Sequence, residues 1–267
     1  MPCPSATLTV WASAWLAGAA APDDALDALA PWAQLHVIHA VDDVTAAATA
    51  LPTPEARPST LTFLLAAIRR CAPRSTARLV LPAPGDVRGL PGPGAFSREA
   101  TAAGEGMLFP EVSLPVGGIG IVPTPVADGI LRWTVYPVPE PGPVPEYVAA
   151  AHAERDLRDQ VRRSASMLTS LGVARHRPGV REEIAAALRA RPESRWPNGM
   201  PGRALRVLQQ ADEVEAILAA ALLDDPGGAL SASAAGARRD ALRPLDAAVR
   251  MARRAAVAEA VRVLAPA

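Results

Sequence analysis

Proline is the residue that most limits what this chain can fold into. Of its 28 prolines, 21 fall before residue 146. Each one fixes φ and removes a backbone donor, so helices there must be short and strands must lie at edges or stop early. The run Tyr136-Pro-Val-Pro-Glu-Pro-Gly-Pro-Val-Pro145 alternates proline with other residues. It reads as a semi-rigid, polyproline-like spacer. The expected organisation is a mixed α/β domain over 1–138, a spacer over 139–145 and a helical domain over 146–267.

Before the spacer, helix and strand signals alternate. Thr7 to Trp11 is β-branched and aromatic and predicts a buried strand. Pro22-Asp-Asp-Ala predicts a helix, with acids in the first turn where the macrodipole favours them, ending by Pro31. Leu35 to Val41 predicts a second strand, and Asp42-Asp43 the start of a short Ala/Thr helix. Ser59 to Arg70 carries a cap, an apolar face of Leu61, Leu64, Leu65 and Ile68, and two arginines in its last turn. Ala77 to Leu81 is the next strand. Met107 to Leu114, Gly118 to Val126 and Ile130 to Val138 follow, the last two joined by an Asp128-Gly129 hairpin turn. Pro123 and Pro125 should place their strand on an edge or end it early. The fold class expected is α+β or α/β, a small mixed sheet with flanking helices, followed by an all-helical C-terminal bundle.

After the spacer the period is helical. Glu146 to Leu171 closes at Gly172, and a shorter helix near Val180 to Ala190 lies between prolines. Arg203 to Leu223 carries the stripe Val207, Ala211, Val214, Leu218 and Leu222, stopped by the Asp-Asp-Pro-Gly-Gly at 224–228. The last helix, from about Ser231 to Leu264, has the apolar set Leu242, Leu245, Val249, Val257, Val261 and Leu264. Pro244 should kink or divide it.

Composition excludes more than it assigns. All 27 basic residues are arginine, which rules out a lysine nucleophile, a Schiff base and a Walker-type phosphate loop. Formal net charge is zero, so nothing global suggests nucleic acid. Residues 1–145 are mildly acidic and 146–267 mildly basic. Two cysteines, Cys3 and Cys71, make neither a disulfide framework nor a zinc knuckle, and a reducing cytoplasm is expected. The apolar stretch Ala6 to Ala21 is too short for a confident membrane span and lacks the basic start of a signal peptide.

One loop carries the sequence's best ligand signal. Leu79-Val-Leu runs into the Gly/Pro-rich loop 82–94, which holds Asp86 and Arg88, and Arg98 follows on a helix-forming segment. Glycines after a strand let backbone N–H groups approach an anion, and Arg88 could fork a phosphate or carboxylate. Glu105 and Glu111 could pair as acid and base. The candidate ligand-binding set is Asp86, Arg88, Arg98 and Glu105, against the simpler reading that Asp86 and Arg88 pair with each other or with backbone. His36 and His39, three apart on a strand, take opposite faces and do not share a metal. His152 and His176 have no metal-ligand companions. No cofactor and no metal are implied, and no catalytic residue is assigned. Arg162-Arg163, Arg175-His176-Arg177 and the face of Arg250, Arg253 and Arg254 could meet phosphates, but interleaved acids favour a salt-bridged solvated surface. The leading expectation is a non-catalytic cytoplasmic interaction protein whose C-terminal helices associate with a second copy or a protein partner. A small-molecule enzyme or ligand-binding domain centred on 82–94 is the alternative, and weak nucleic-acid binding the third reading.

Overall fold

The computed structural model describes residues 3–110, 117–138, 146–170, 179–192, 195–223 and 232–266. The spacer expected at 139–145 lies outside the described residues, as do Glu111, Gly172, the 175–177 cluster and the 224–228 helix stop. The chain divides into two compact units. One holds Cys3–Tyr147, Glu193–Pro201 and Val257–Ala267; the other holds Val148–Pro192 and Gly202–Ala256.

The first unit is built on a five-stranded mixed sheet: β1 (Leu35–Ala40), β2 (Arg78–Val80), β3 (Gly106–Phe109), β4 (Gly118–Ala127) and β5 (Ile130–Val138), in the order β1-β5-β4-β3-β2. Only β1 and β5 run parallel. The β4–β5 hairpin turns at Asp128-Gly129, where Gly129 takes a positive φ of 67°. Pleat alternation sorts the side chains into two cores. Met107, Phe109, Ile119, Ile121, Leu131, Trp133 and Val135 face one side, together with Ile38 and Ala40. There they meet α1 (Pro4–Leu16), α2 (Pro22–Leu29) and α4 (Leu61–Cys71). Val80, Leu108, Val122, Tyr136 and Val138 face the other side, against Phe96 and Ala100 of α5 (Ala95–Ala103). The short α3 (Asp43–Thr49) starts on Asp42, whose carboxylate accepts the Thr45 N–H at 2.7 Å.

Two expectations fail here. Thr7 to Trp11 is not a strand but the middle of α1, in which every residue from Pro4 to Trp15 is buried. A helix covered on all sides has no polar face, so its sequence loses the 3.6-residue signature and resembles a buried strand. Two of its hydroxyls are used inside the fold: Thr9 Oγ1 donates to the Ser5 carbonyl at 2.6 Å, and Ser13 Oγ accepts the Ala77 N–H at 3.2 Å. Pro123 and Pro125 do not put β4 at an edge; β4 is central. The ladder to β3 reaches only Ile121, so both prolines fall where β4 is paired on one side alone, to β5. A register irregularity follows, between Pro125 and Ala127.

The second unit is helical: α6 (Ala150–Ser170), α7 (Val180–Arg189), α8 (Gly202–Leu223) and the first part of α9 (Ala232–Leu264). The expected stripes are the buried ones. Val207, Ala211, Val214 and Leu218 are buried on α8, and Leu242, Leu245, Val249, Val257, Val261 and Leu264 on α9. Pro244 does not divide α9, which runs through it as one helix of 33 residues. The local cost is a missing donor to the Asp240 carbonyl one turn back. Ser164 of α6 donates to the Ala241 carbonyl of α9 at 3.2 Å.

Candidate functional site

Within the loop 82–94, residues 83–86 form a tight turn. Ala83 and Asp86 exchange backbone hydrogen bonds of 2.9 and 2.8 Å around Gly85, which sits at φ 82°. Arg88 then closes on Asp86 as a fork, Nε to Oδ1 and an Nη to Oδ2, each at 2.7 Å. Asp86 raises the pKa of the guanidinium by accepting these bonds. Of the four candidate ligand residues, the structure thus brings these two together, on each other. Glu105 is engaged elsewhere: its carboxylate accepts the Ser5 N–H at 2.8 Å, in the first turn of α1. The Cys3 side chain does not cap the helix, so a carboxylate a hundred residues away fills that role. Arg98 stands exposed on α5.

The strand histidines behave as their spacing requires. His39 Nδ1 lies 3.1 Å from the Thr53 carbonyl, and His36 Nδ1 lies 3.0 Å from Trp133 Nε1. An indole N–H only donates, so His36 must accept at Nδ1 and carry its proton on Nε2. Burial is the largest influence on this ring and lowers its pKa, outweighing the carbonyls of Ala30 and Leu29. The unfolded chain takes up the proton near pH 6.5 while the folded protein resists it, so stability falls as pH drops below about 6.5. The loss ends once the folded ring itself titrates, and solvent reaching the half-buried ring keeps it modest. Urea midpoints taken from pH 7.5 to 5 should show it, and His36→Gln should flatten that part of the profile.

A cleft that the sequence reading did not single out opens beside α1 and α2. It measures about 220 Å³ and is lined by Trp11, Ala19, Ala20, Asp24, Asp27, Arg195, Trp196 and Asn198. Trp11, buried on α1, fixes its wall by donating Nε1–H to the Arg195 carbonyl at 2.8 Å. Asp24 and Asp27 stand three apart on α2 and share a face. The available signal was compositional: Trp11 and Trp196 are two of only five tryptophans in an alanine-rich chain.

The helical unit's charges pair with one another. Arg191 reaches Asp212 at 2.9 Å and Glu215 at 2.8 Å, and Arg253 reaches the same two carboxylates at 2.5 and 3.2 Å. Burial pushes the Glu215 carboxyl up, but its favourable charge contacts, the Arg253 guanidinium foremost, together hold it below the usual carboxylate range. Of the arginines expected to form a phosphate-facing surface, Arg253 is 4% exposed within this network. Arg250 pairs with Asp246, one turn earlier on α9. Among the described residues no group of histidine, cysteine, aspartate and glutamate is placed to hold a metal ion, and no helix is long and apolar enough to cross a membrane.

The sequence has relatives along nearly its whole length. It is 41% identical over 281 residues to the uncharacterized protein Rv1486c of Mycobacterium tuberculosis (strain H37Rv), covering 96% of each chain. It is 34% identical over 287 residues to the uncharacterized protein ML1804 of Mycobacterium leprae, again covering 96% of each. No solved structure matches it. Residues 5–151 match the N-terminal domain of the Rv1486c-like proteins and residues 151–254 match the C-terminal domain. With a two-domain match, a five-stranded mixed sheet in one part and helices in the other, the chain belongs to the Rv1486c-like family.

Proposed function

We propose that this protein is a non-catalytic, cytoplasmic interaction protein whose helical domain associates with a second copy of the chain. The observation that carries the reading is the surface of two packed helices. Met167 on α6 and Ile217 on α8 are each about half exposed, at 51% and 49%. Large apolar side chains on neighbouring helices favour protein contact, and methionine adapts its shape to what it meets. Charged groups on the helices of this unit are matched in pairs: Arg158 with Glu154, Arg162 with Asp159, and Arg243 with Asp240. Pairing of this kind gives a solvated surface of low net charge, which favours a protein neighbour over a phosphate backbone. The alternative of an anion site in the loop 82–94 has less support, because the Arg88 fork is already closed on Asp86.

Sedimentation at tens of micromolar, where a micromolar interface is occupied, tests this reading. The expected result is a dimer or larger species, converted to monomer by Met167→Glu together with Ile217→Glu. A monomer at that concentration overturns it.

A further inference from the structure

We infer that the cleft between Trp11 and Trp196 binds a small zwitterion, one ammonium and one carboxylate on a flat or apolar body, as in a free aromatic amino acid. This goes beyond the association proposed above and uses the other unit of the chain. Size comes first. At about 220 Å³ the cleft is larger than the roughly 150 Å³ that holds a benzene ring and smaller than a drug-sized site. Two indoles line it, Trp11 and Trp196, and the only polar atom of the Trp11 indole is already bound to the Arg195 carbonyl. An indole face with no polar demand of its own suits a flat apolar group or a cation.

Charge narrows the class. Asp24 and Asp27 present two carboxylates from one face of α2, and no ion pair joins either to another described residue. Arg195 and Asn198, both exposed, belong to the same lining and bring one positive charge and one amide to it. A purely cationic ligand leaves the guanidinium facing like charge, and a purely anionic one faces two carboxylates. A zwitterion satisfies both: ammonium to Asp24 and Asp27, carboxylate to Arg195 and Asn198. Helix-dipole stabilisation accounts for Asp24 in the first turn of α2, but not for Asp27 a turn later.

Titration calorimetry on the full chain tests this with three probes that differ by one group. L-phenylalanine has both charges, phenethylamine only the ammonium and 3-phenylpropionate only the carboxylate. The expected result is saturable binding of L-phenylalanine, with each single-charge probe weaker by roughly tenfold or more. Asp27→Asn should raise the L-phenylalanine Kd by roughly tenfold, with unchanged circular dichroism. Arg195→Gln should leave L-phenylalanine and phenethylamine equal. No saturable binding of L-phenylalanine overturns the inference. So does equal binding of either single-charge probe by the parent, or an Asp27→Asn variant with the parent's affinity.

Discussion

Replacing Arg253 with methionine is expected to destabilise the helical unit by about 3 kcal/mol, the scale for breaking a buried ion pair by removing one partner. Arg253 is 4% exposed, and its guanidinium reaches carboxylates of α8 at Asp212 and Glu215 from α9. Methionine fills much of the same volume, so packing changes little and the loss is mainly electrostatic. The variant leaves two acids, and Glu215 is the more buried of them. Arg191 still reaches both, which keeps the cost below the upper end of that scale. The Glu215 pKa gives a second check. A carboxyl held below its ordinary value contributes stability above the unfolded pKa and loses it as pH falls through the folded one. In the parent that contribution should therefore persist down to about pH 4.5 and disappear below it. In Arg253→Met burial acts on Glu215 with less opposition, its pKa rises, and the loss of stability below about pH 4.5 should shrink or reverse. Urea unfolding followed by circular dichroism from pH 7 to 4 measures both effects. An unchanged midpoint and profile would mean that the network contributes nothing.

How far the sequence reveals the molecule depends on what surrounds each segment. Elements with one covered and one wet face were legible, since amphipathic period and helix starts are written locally: α2 behind Pro22, α3 behind Asp42, and α4 with Leu61, Leu64, Leu65 and Ile68 inward, although the side-chain cap expected at Ser59 or Thr60 is not made. Gly129 marked its hairpin because only the turn needs positive φ there. Segments whose surroundings come from distant chain were not legible. Nothing local to Thr7 says that sheet and helices cover it on every side, so its period was lost. The central position of β4 depends on β3 ending early, which the prolines of β4 do not encode. The same holds for the sites. Asp86 and Arg88 are two residues apart, and both the pairing and the anion-site reading were visible in the sequence; the geometry has the pair closed on itself. The cleft joins residues of α1 and α2 to Arg195, Trp196 and Asn198, nearly two hundred positions on, and no local pattern links them.

Gly120→Ala is expected to cost about 3 kcal/mol, the upper part of the range for overpacking a filled core. Gly120 sits mid-strand in β4, paired to Leu108 on one side and Tyr136 on the other. A Cβ there would stand 2.2 Å from Cδ2 of Phe96 and 2.5 Å from its Cε2. The ring cannot simply swing out. It is 2% exposed, packed with Ala100, Leu108 and Tyr136 in the core that holds α5 to the sheet. Its centroid lies 6.4 Å from that of Tyr136 in a tilted arrangement, so displacing one ring disturbs the other. The missing side chain at Gly120 is thus what lets α5 lie on this face of the sheet. A compensating change gives the sharper test, because a glycine can also matter for reasons of backbone freedom. Phe96→Leu alone should destabilise by about 1–2 kcal/mol through lost packing. Combined with Gly120→Ala it removes the collision, so the double variant should be more stable than the sum of the two single losses by at least ~1 kcal/mol. Thermal or urea unfolding of the three variants supplies the cycle. Additive losses would show that the Cβ is not resisted by the Phe96 ring, and that α5 is seated on the sheet by something other than the gap at Gly120.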